Sequence, residues 1–200
     1  MGLTKAQVAR LSKAIDPNHV ESKQGLAYMA QHEVRAELTR IFGYGNWETQ
    51  VESMDLLYET QLMQGDPQYP AKGNGKPYWV VAYRACVRLN IRDYQGKHVA
   101  SFVEYHAEEN APLPNRGEAH AMAITSVESY ALRRAAIGLG DRLGLGLYDG
   151  GKILPLVKGT LQSIDEDSPQ YVKKEEGPAT PPKTASVDRL QAVVKSGERE

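Results

Sequence analysis

The chain has 200 residues, of which 41% are hydrophobic, 24% charged and 8% aromatic. That balance excludes a wholly disordered or fibrous protein and fits one compact domain with a tail. With 24 basic against 25 acidic side chains, the net charge is −1, so any attraction to nucleic acid must come from locally concentrated cations. The longest apolar runs are a few residues, too short to cross a bilayer. Met1-Gly-Leu-Thr-Lys5 has no basic patch followed by an apolar stretch, so no secretory signal is expected. A single cysteine, Cys86, excludes an internal disulfide framework and a multi-cysteine metal site. A cytoplasmic protein is expected.

Thr4 is suited to cap a first helix carrying Val8, Leu11 and Ile15 on one face and stopped by Pro17. A second helix is expected from about Met29 to Phe42. Its apolar stripe is Val34, Leu38, Ile41 and Phe42, its solvated face Glu33, Glu37 and Arg40, and its left-handed cap Gly43. After Gly43-Tyr-Gly-Asn46, Trp47 opens a strand to about Tyr58, followed by a polar loop over 61–77. The clearest strand is Trp79 to Arg92. Trp79, Val81, Tyr83, Ala85, Val87, Leu89 and Ile91 alternate with Val80, Ala82, Arg84, Cys86, Arg88, Asn90 and Arg92, the period of a sheet with one core face. Asp93 to Lys97 reads as a hairpin loop into a third strand, His98 to about Ala107. A Pro-rich loop then leads to a long helix, Glu118 to Gly138, whose ridge Ala123, Val127, Ala131, Ala135, Leu139 is small enough to lie close on a sheet. The order helix, helix, three antiparallel strands, helix predicts an α+β domain over 1–160 with helices on one sheet face.

Composition changes after this point. Residues 164–186 read IDEDSPQYVKKEEGPATPPKTAS, nearly free of large apolar groups, and are expected to form a disordered linker over about 161–185. Val187, Leu190, Val193 and Val194 recur at helical spacing behind Ser186, which predicts either a frayed end or a short partner-binding helix in 186–200.

Catalytic signals are weak. No second histidine follows His32-Glu33 at helical spacing, and there is no G-x-S-x-G elbow. His98, Glu104 and His106 share strand parity, which would place two imidazoles and a carboxylate on one face, the minimum for a metal-dependent nuclease. Gly146 to Lys152 matches the start of a phosphate-binding loop, but Ile153 stands where a Ser or Thr should hold magnesium, and the segment follows a helix. Those glycines fit a helix exit better. No cofactor and no resident metal are expected, and Cys86 reads as a packing residue.

Localised positive charge remains. Arg84, Arg88 and Arg92 project from one side of one strand, Arg133-Arg134 form a basic pair on the long helix, and Lys72, Lys76 and Arg116 lie in the two Gly/Pro loops. Arg133 falls roughly opposite Ala131 with Arg134 on its flank, so neither need be buried. Such clusters fit single-stranded nucleic acid, or solvated faces paired with local acids.

Three blocks decide between these readings: Phe42-Gly-Tyr-Gly-Asn-Trp47, Tyr83-Arg-Ala-Cys-Val-Arg-Leu89, and the run from Tyr130-Ala-Leu-Arg-Arg134 through Gly138-Leu-Gly-Asp-Arg142 to Asp149. Over about residues 5 to 150 the chain resembles the Rad52/Rad22 family of single-strand annealing proteins, in the shorter form carried by bacteriophages. The resemblance implies a β-β-β-α core, ring or filament homo-oligomers, and a groove where basic side chains hold the backbone of single-stranded DNA with the bases outward. It implies annealing in recombination and repair without ATP, in the host cytoplasm if phage-encoded. It places Arg133 and Arg134 on the phosphates. A family arginine aligns on Glu33, with Arg35 two residues on, and a further basic position is Ile137 here, so the groove is less positive than in eukaryotic members. Phe42, Tyr44 and Trp47 read as core and turn residues. The expected DNA contacts are Arg133, Arg134, Arg35, Arg84, Arg88, Arg92, Lys72, Lys76 and Arg116, with a replication or recombination protein as the tail's partner. The alternative is an adaptor module that binds protein and anneals nothing.

Overall fold

A computed structural model describes residues 2–23, 25–151 and 153–157. The expected linker and tail helix lie outside these residues. Thr4 caps α1 (Lys5–Leu11) in a reciprocal capping box with Gln7. The helix stops before Pro17: the Ser12 hydroxyl donates to the Val8 carbonyl at 2.9 Å and the chain turns away, so Ile15 packs into the core from a loop. A hairpin not expected from the sequence follows, β1 (Val20–Lys23) and β2 (Leu26–Met29), antiparallel with Val20 opposite Met29. Because Met29 closes that hairpin, α2 (Gln31–Phe42) starts two residues later than expected.

Val34, Leu38, Ile41 and Phe42 form the buried face of α2, as the stripe requires. Glu37, expected in solvent, is instead fully buried. Arg10 of α1, Arg40 one turn on, and Arg142 beyond the last helix converge on its carboxylate at 2.9, 3.0 and 2.8 Å, so the charge is paired where water is excluded. Burial alone would raise this carboxyl's pKa; the three arginine hydrogen bonds outweigh it and hold the pKa down at about 2. Gly43 ends the helix at φ 84°, ψ 170°, an extended conformation on the positive-φ side rather than the left-handed helical cap expected.

Strands β3 (Trp47–Leu62), β4 (Tyr78–Arg92) and β5 (His98–Glu109) form an antiparallel meander with β4 central. Val81, Ala85, Val87, Leu89 and Ile91 present the core face. Asn115 accepts from the amides of Gly117 and Glu118 and starts α3 (Arg116–Ile137), which lies over that face. Its ridge of Ala119, Ala123, Val127, Ala131 and Ala135 is buried, and its small side chains let the helix sit close. Close approach explains Gly138: a Cβ there would meet the Phe102 ring of β5 at 2.4 Å. Two short 3-10 turns follow, Asp141–Leu143 and Leu145–Tyr148, so the glycine-rich segment is a helix exit, as expected, without the strand–loop–helix setting of a phosphate loop. Asp141 accepts from the amides of Leu156 and Val157 at 2.8 and 2.7 Å and ties the end of the described chain to the core. The architecture is α+β, and among the described residues no helix is long and apolar enough to cross a membrane.

Candidate nucleic-acid interface

The expected basic residues fall into three separate groups. Arg84, Arg88 and Arg92 lie on the sheet face turned away from α3. Each is paired with an acid of β3: Arg84 with Asp55 at 3.0 Å, Arg88 with Glu52 at 2.5 Å, Arg92 with Glu48 at 2.5 Å. Glu52, the unpaired residue of a bulge between Val51 and Ser53, lies on this face with Glu48; the bulge inverts the alternation beyond it and brings Asp55 onto the same face, and the Arg88 hydrogen bond holds the Glu52 carboxyl below the usual range. The Cys86 thiol, buried on the same face, donates to Glu52 at 3.6 Å.

The second group sits at the start of α3. Arg116 grips Glu59 of β3 with two N–H groups at 3.0 and 3.1 Å and lies over the Trp79 ring. His120 adds a hydrogen bond to the same carboxylate and meets the Tyr83 hydroxyl through its other nitrogen, so the network fastens α3 to β3 and β4. Lys72 and Lys76 are exposed in the adjoining loop. Arg116 and Arg134 are about 27 Å apart along the helix axis, so this group does not meet the basic pair.

The third group surrounds Arg133 and Arg134 near the end of α3. Arg134 is exposed, with a loose contact to Glu104 of β5 at 3.3 Å. Arg133 is half-buried beside the end of β2. Its guanidinium carbon lies 3.8 Å from the ring centre of Tyr130, one turn back on α3, and 4.8 Å from that of Tyr28 on β2. Tyr130 in turn stacks on His106 of β5, centroids 4.7 Å apart and planes 21° from parallel. Tyr28 is anchored by its hydroxyl, which donates to Glu21 at 2.7 Å. Arg133 Nη1 reaches the Met29 carbonyl at 3.5 Å, and Nε is shielded from solvent with no partner. Every other arginine among the described residues has a carboxylate partner; Arg133 has none. Arg35 on α2 reaches Glu128 of α3 at 3.2 Å, before the basic pair on the same helix, whereas Glu33 faces His19 and Arg40. Burial holds the His106 imidazole below its ordinary pKa, with Arg134 and Arg133 adding to the effect and Glu108 opposing it.

The nuclease arrangement is not formed. Between Ile91, which pairs with Ala100, and Arg92, which pairs with His98, the extra residue Val99 breaks the parity. His98 therefore bonds to Ser101 and, through it, to Asn90, while Glu104 and His106 lie on the helix side. Among the described residues no group of three or more His, Cys, Asp or Glu could hold a metal ion.

Sequence reasoning missed Glu37 with its arginines and the rings on Arg133. The i, i+3 spacing of Tyr130 and Arg133 was an available signal; nothing in the sequence points to Tyr28. Residues 4–158 match a family described as Rad52/22 family double-strand break repair protein. No curated protein matches the chain.

Proposed function

The chain belongs to the Rad52/22 double-strand break repair family, and on that premise we propose that it binds single-stranded DNA and anneals complementary strands without ATP. The observation that carries this reading is Arg133. A guanidinium is charged at any physiological pH, and a half-buried one whose N–H groups meet no carboxylate is an incomplete arrangement that an anion completes. A phosphate diester supplies the charge and oxygens at the right spacing for two parallel hydrogen bonds. Arg134 stands next to it on the same helix, held only loosely by Glu104, and can swing to a second phosphate. Arg35 is one salt bridge away from joining them.

Backbone gripping suits annealing because it neutralises the repulsion between two strands and leaves base edges free to test a partner. No bond is made or broken, so the protein acts as a binding scaffold rather than an enzyme. One domain covers only a few nucleotides, so coating a long strand requires many copies side by side. The exposed Val51, Leu56, Leu57 and Tyr58 of edge strand β3 support such self-association. In this reading residues 1–160 form the annealing domain, and the remainder recruits a replication or recombination protein.

The outer arginine stripe carries less weight. Each of its charges is already met by a β3 acid, so DNA could use it only by displacing Glu48, Glu52 and Asp55.

A fluorescence anisotropy titration against a single-stranded oligonucleotide, repeated over a range of salt, tests the reading. Binding should be insensitive to sequence and weaken with a log–log slope of about −0.7 per phosphate neutralised. A protein that ignores the oligonucleotide at low salt would refute it and favour a protein-binding adaptor.

A further inference from the structure

A ring from β2 and a ring from α3 both pack on the guanidinium of Arg133, and the second ring is itself backed by His106 of β5. Side chains of β2, α3 and β5 thus surround one cation with aromatic rings. All five N–H groups of a guanidinium lie in its plane, so rings packed against it at 3.8 and 4.8 Å limit the directions in which those groups can point. The outer end of this column is pinned as well, since the Tyr28 hydroxyl is bonded to Glu21. Arg134 has no such surroundings: it is exposed and touches one half-exposed carboxylate.

We propose that Tyr28 and Tyr130 are positioning residues of the interface: they hold Arg133 so that it grips one phosphate diester through two N–H groups, which makes position 133 specific for arginine while position 134 needs only a positive charge. The proposal rests on the reading of Arg133 as a DNA contact. Its physical basis is the difference between the two cations. Lysine is a compact point charge on a flexible stem; it keeps the Coulomb attraction but has no plane to be clamped and cannot make the paired contact. At Arg134 the side chain must reorder on binding in any case, so the exchange loses little.

The same logic gives a signature that a merely structural role for the tyrosines would not produce. Losing a ring leaves the charge of Arg133 in place, so the number of phosphates neutralised, and hence the salt slope, is unchanged while affinity falls. Losing the charge reduces the slope by about 0.7 for single-stranded DNA.

The test is anisotropy with a labelled single-stranded oligonucleotide at several salt concentrations, each variant checked for its melting midpoint by circular dichroism. Tyr130→Leu and Tyr28→Leu should bind about tenfold more weakly with an unchanged salt slope, and Tyr130→Phe, which keeps the ring, should bind more tightly than Tyr130→Leu. Arg133→Lys should lose as much affinity as the leucine variants and keep the wild-type slope; Arg133→Ala should lose affinity and slope together; Arg134→Lys should lose less affinity than Arg133→Lys. If Arg133→Ala fails to bind while the leucine variants and Arg133→Lys bind like wild type, the positioning role is overturned and the contact itself stands. If wild type does not bind, or Arg133→Ala binds like wild type, the contact falls and the positioning role with it. Should one leucine variant not fold, the other decides the matter, because each ring packs on the guanidinium on its own.

Discussion

Replacing Glu37 with glutamine keeps the side-chain volume and one oxygen acceptor but removes the charge on which Arg10, Arg40 and Arg142 converge. The carboxyl is fully buried and its pKa is held at about 2, against 4.5 for an unperturbed glutamate. That displacement corresponds to about 3 kcal/mol of folding free energy at neutral pH. Removal of one partner from a buried pair costs about 3 to 5 kcal/mol; the lower end applies here, because Arg10 and Arg40 are close to half exposed and can turn to water, whereas Arg142 cannot. For a domain of this size about 3 kcal/mol lowers the melting midpoint by about 6 to 12 °C. The pH dependence has a definite sign. A folded-state pKa below the unfolded one stabilises at pH values above the unfolded value, and the contribution is lost as pH falls through 4.5 towards 2. Thermal melts of wild type and Glu37→Gln followed by circular dichroism should therefore differ at pH 7 and converge near pH 2 to 3. Equal midpoints at pH 7, or a gap that does not change with pH, would refute the assignment of this cluster as the electrostatic link between α1, α2 and the segment after α3.

Other outcomes follow from separate parts of the molecule. Gly138→Ala drives a methyl group into the Phe102 ring and should destabilise the fold by about 1 to 3 kcal/mol in urea melts; a neutral effect would show that α3 does not sit as close to β5 as described. The triple change Arg84→Gln, Arg88→Gln, Arg92→Gln removes cations already paired with β3 acids and should alter single-strand affinity by less than about twofold in anisotropy titrations; a loss as large as that of Arg133→Ala would assign the outer face to DNA. His106, stacked on Tyr130 and facing Glu108, Arg133 and Arg134, is held below its ordinary pKa by burial, so its protonation on acidification opposes folding. Bound phosphate favours the protonated ring, so affinity should rise between pH 7.5 and 5.5, and His106→Gln should flatten that rise. An identical pH profile for the variant would remove His106 from the interface.

The elements that could be read from the sequence are those whose pattern is local and long. Alternation over Trp79 to Arg92 marks a half-buried strand whatever lies beside it, and the four-residue ridge of α3 marks a helix lying on a sheet. The hairpin of β1 and β2 was invisible because four-residue strands are too short to establish a period. Glu37 sits at a helical position that faces solvent on an isolated helix; it is interior only because Arg142, 105 residues away, folds back onto it. His98 leaves the face of Glu104 and His106 because the single bulge residue Val99 inverts the parity, and bulges leave no reliable local mark in a sequence.

At the interface the basic pair was evident from its block on α3, and resemblance supplied a role for it. What the sequence could not supply was charge balance. Arg84, Arg88 and Arg92 look like an open stripe until β3 pairs beside them with Glu48, Glu52 and Asp55. Arg133 looks like Arg134 until Tyr28 arrives from β2. The deciding neighbours come from β3, whose bounds and bulges sequence periodicity places only approximately, and from β2, which it does not show.

The central claim, that Arg133 and Arg134 hold single-stranded DNA for pairing, is tested most directly by annealing. Two complementary labelled oligonucleotides are mixed without nucleotide, with wild-type protein or with the variant Arg133→Ala, Arg134→Ala, after circular dichroism has shown equal melting of the two proteins. The account predicts that wild type accelerates duplex formation and that the double variant leaves it at the protein-free rate. Annealing by the double variant at the wild-type rate would contradict it.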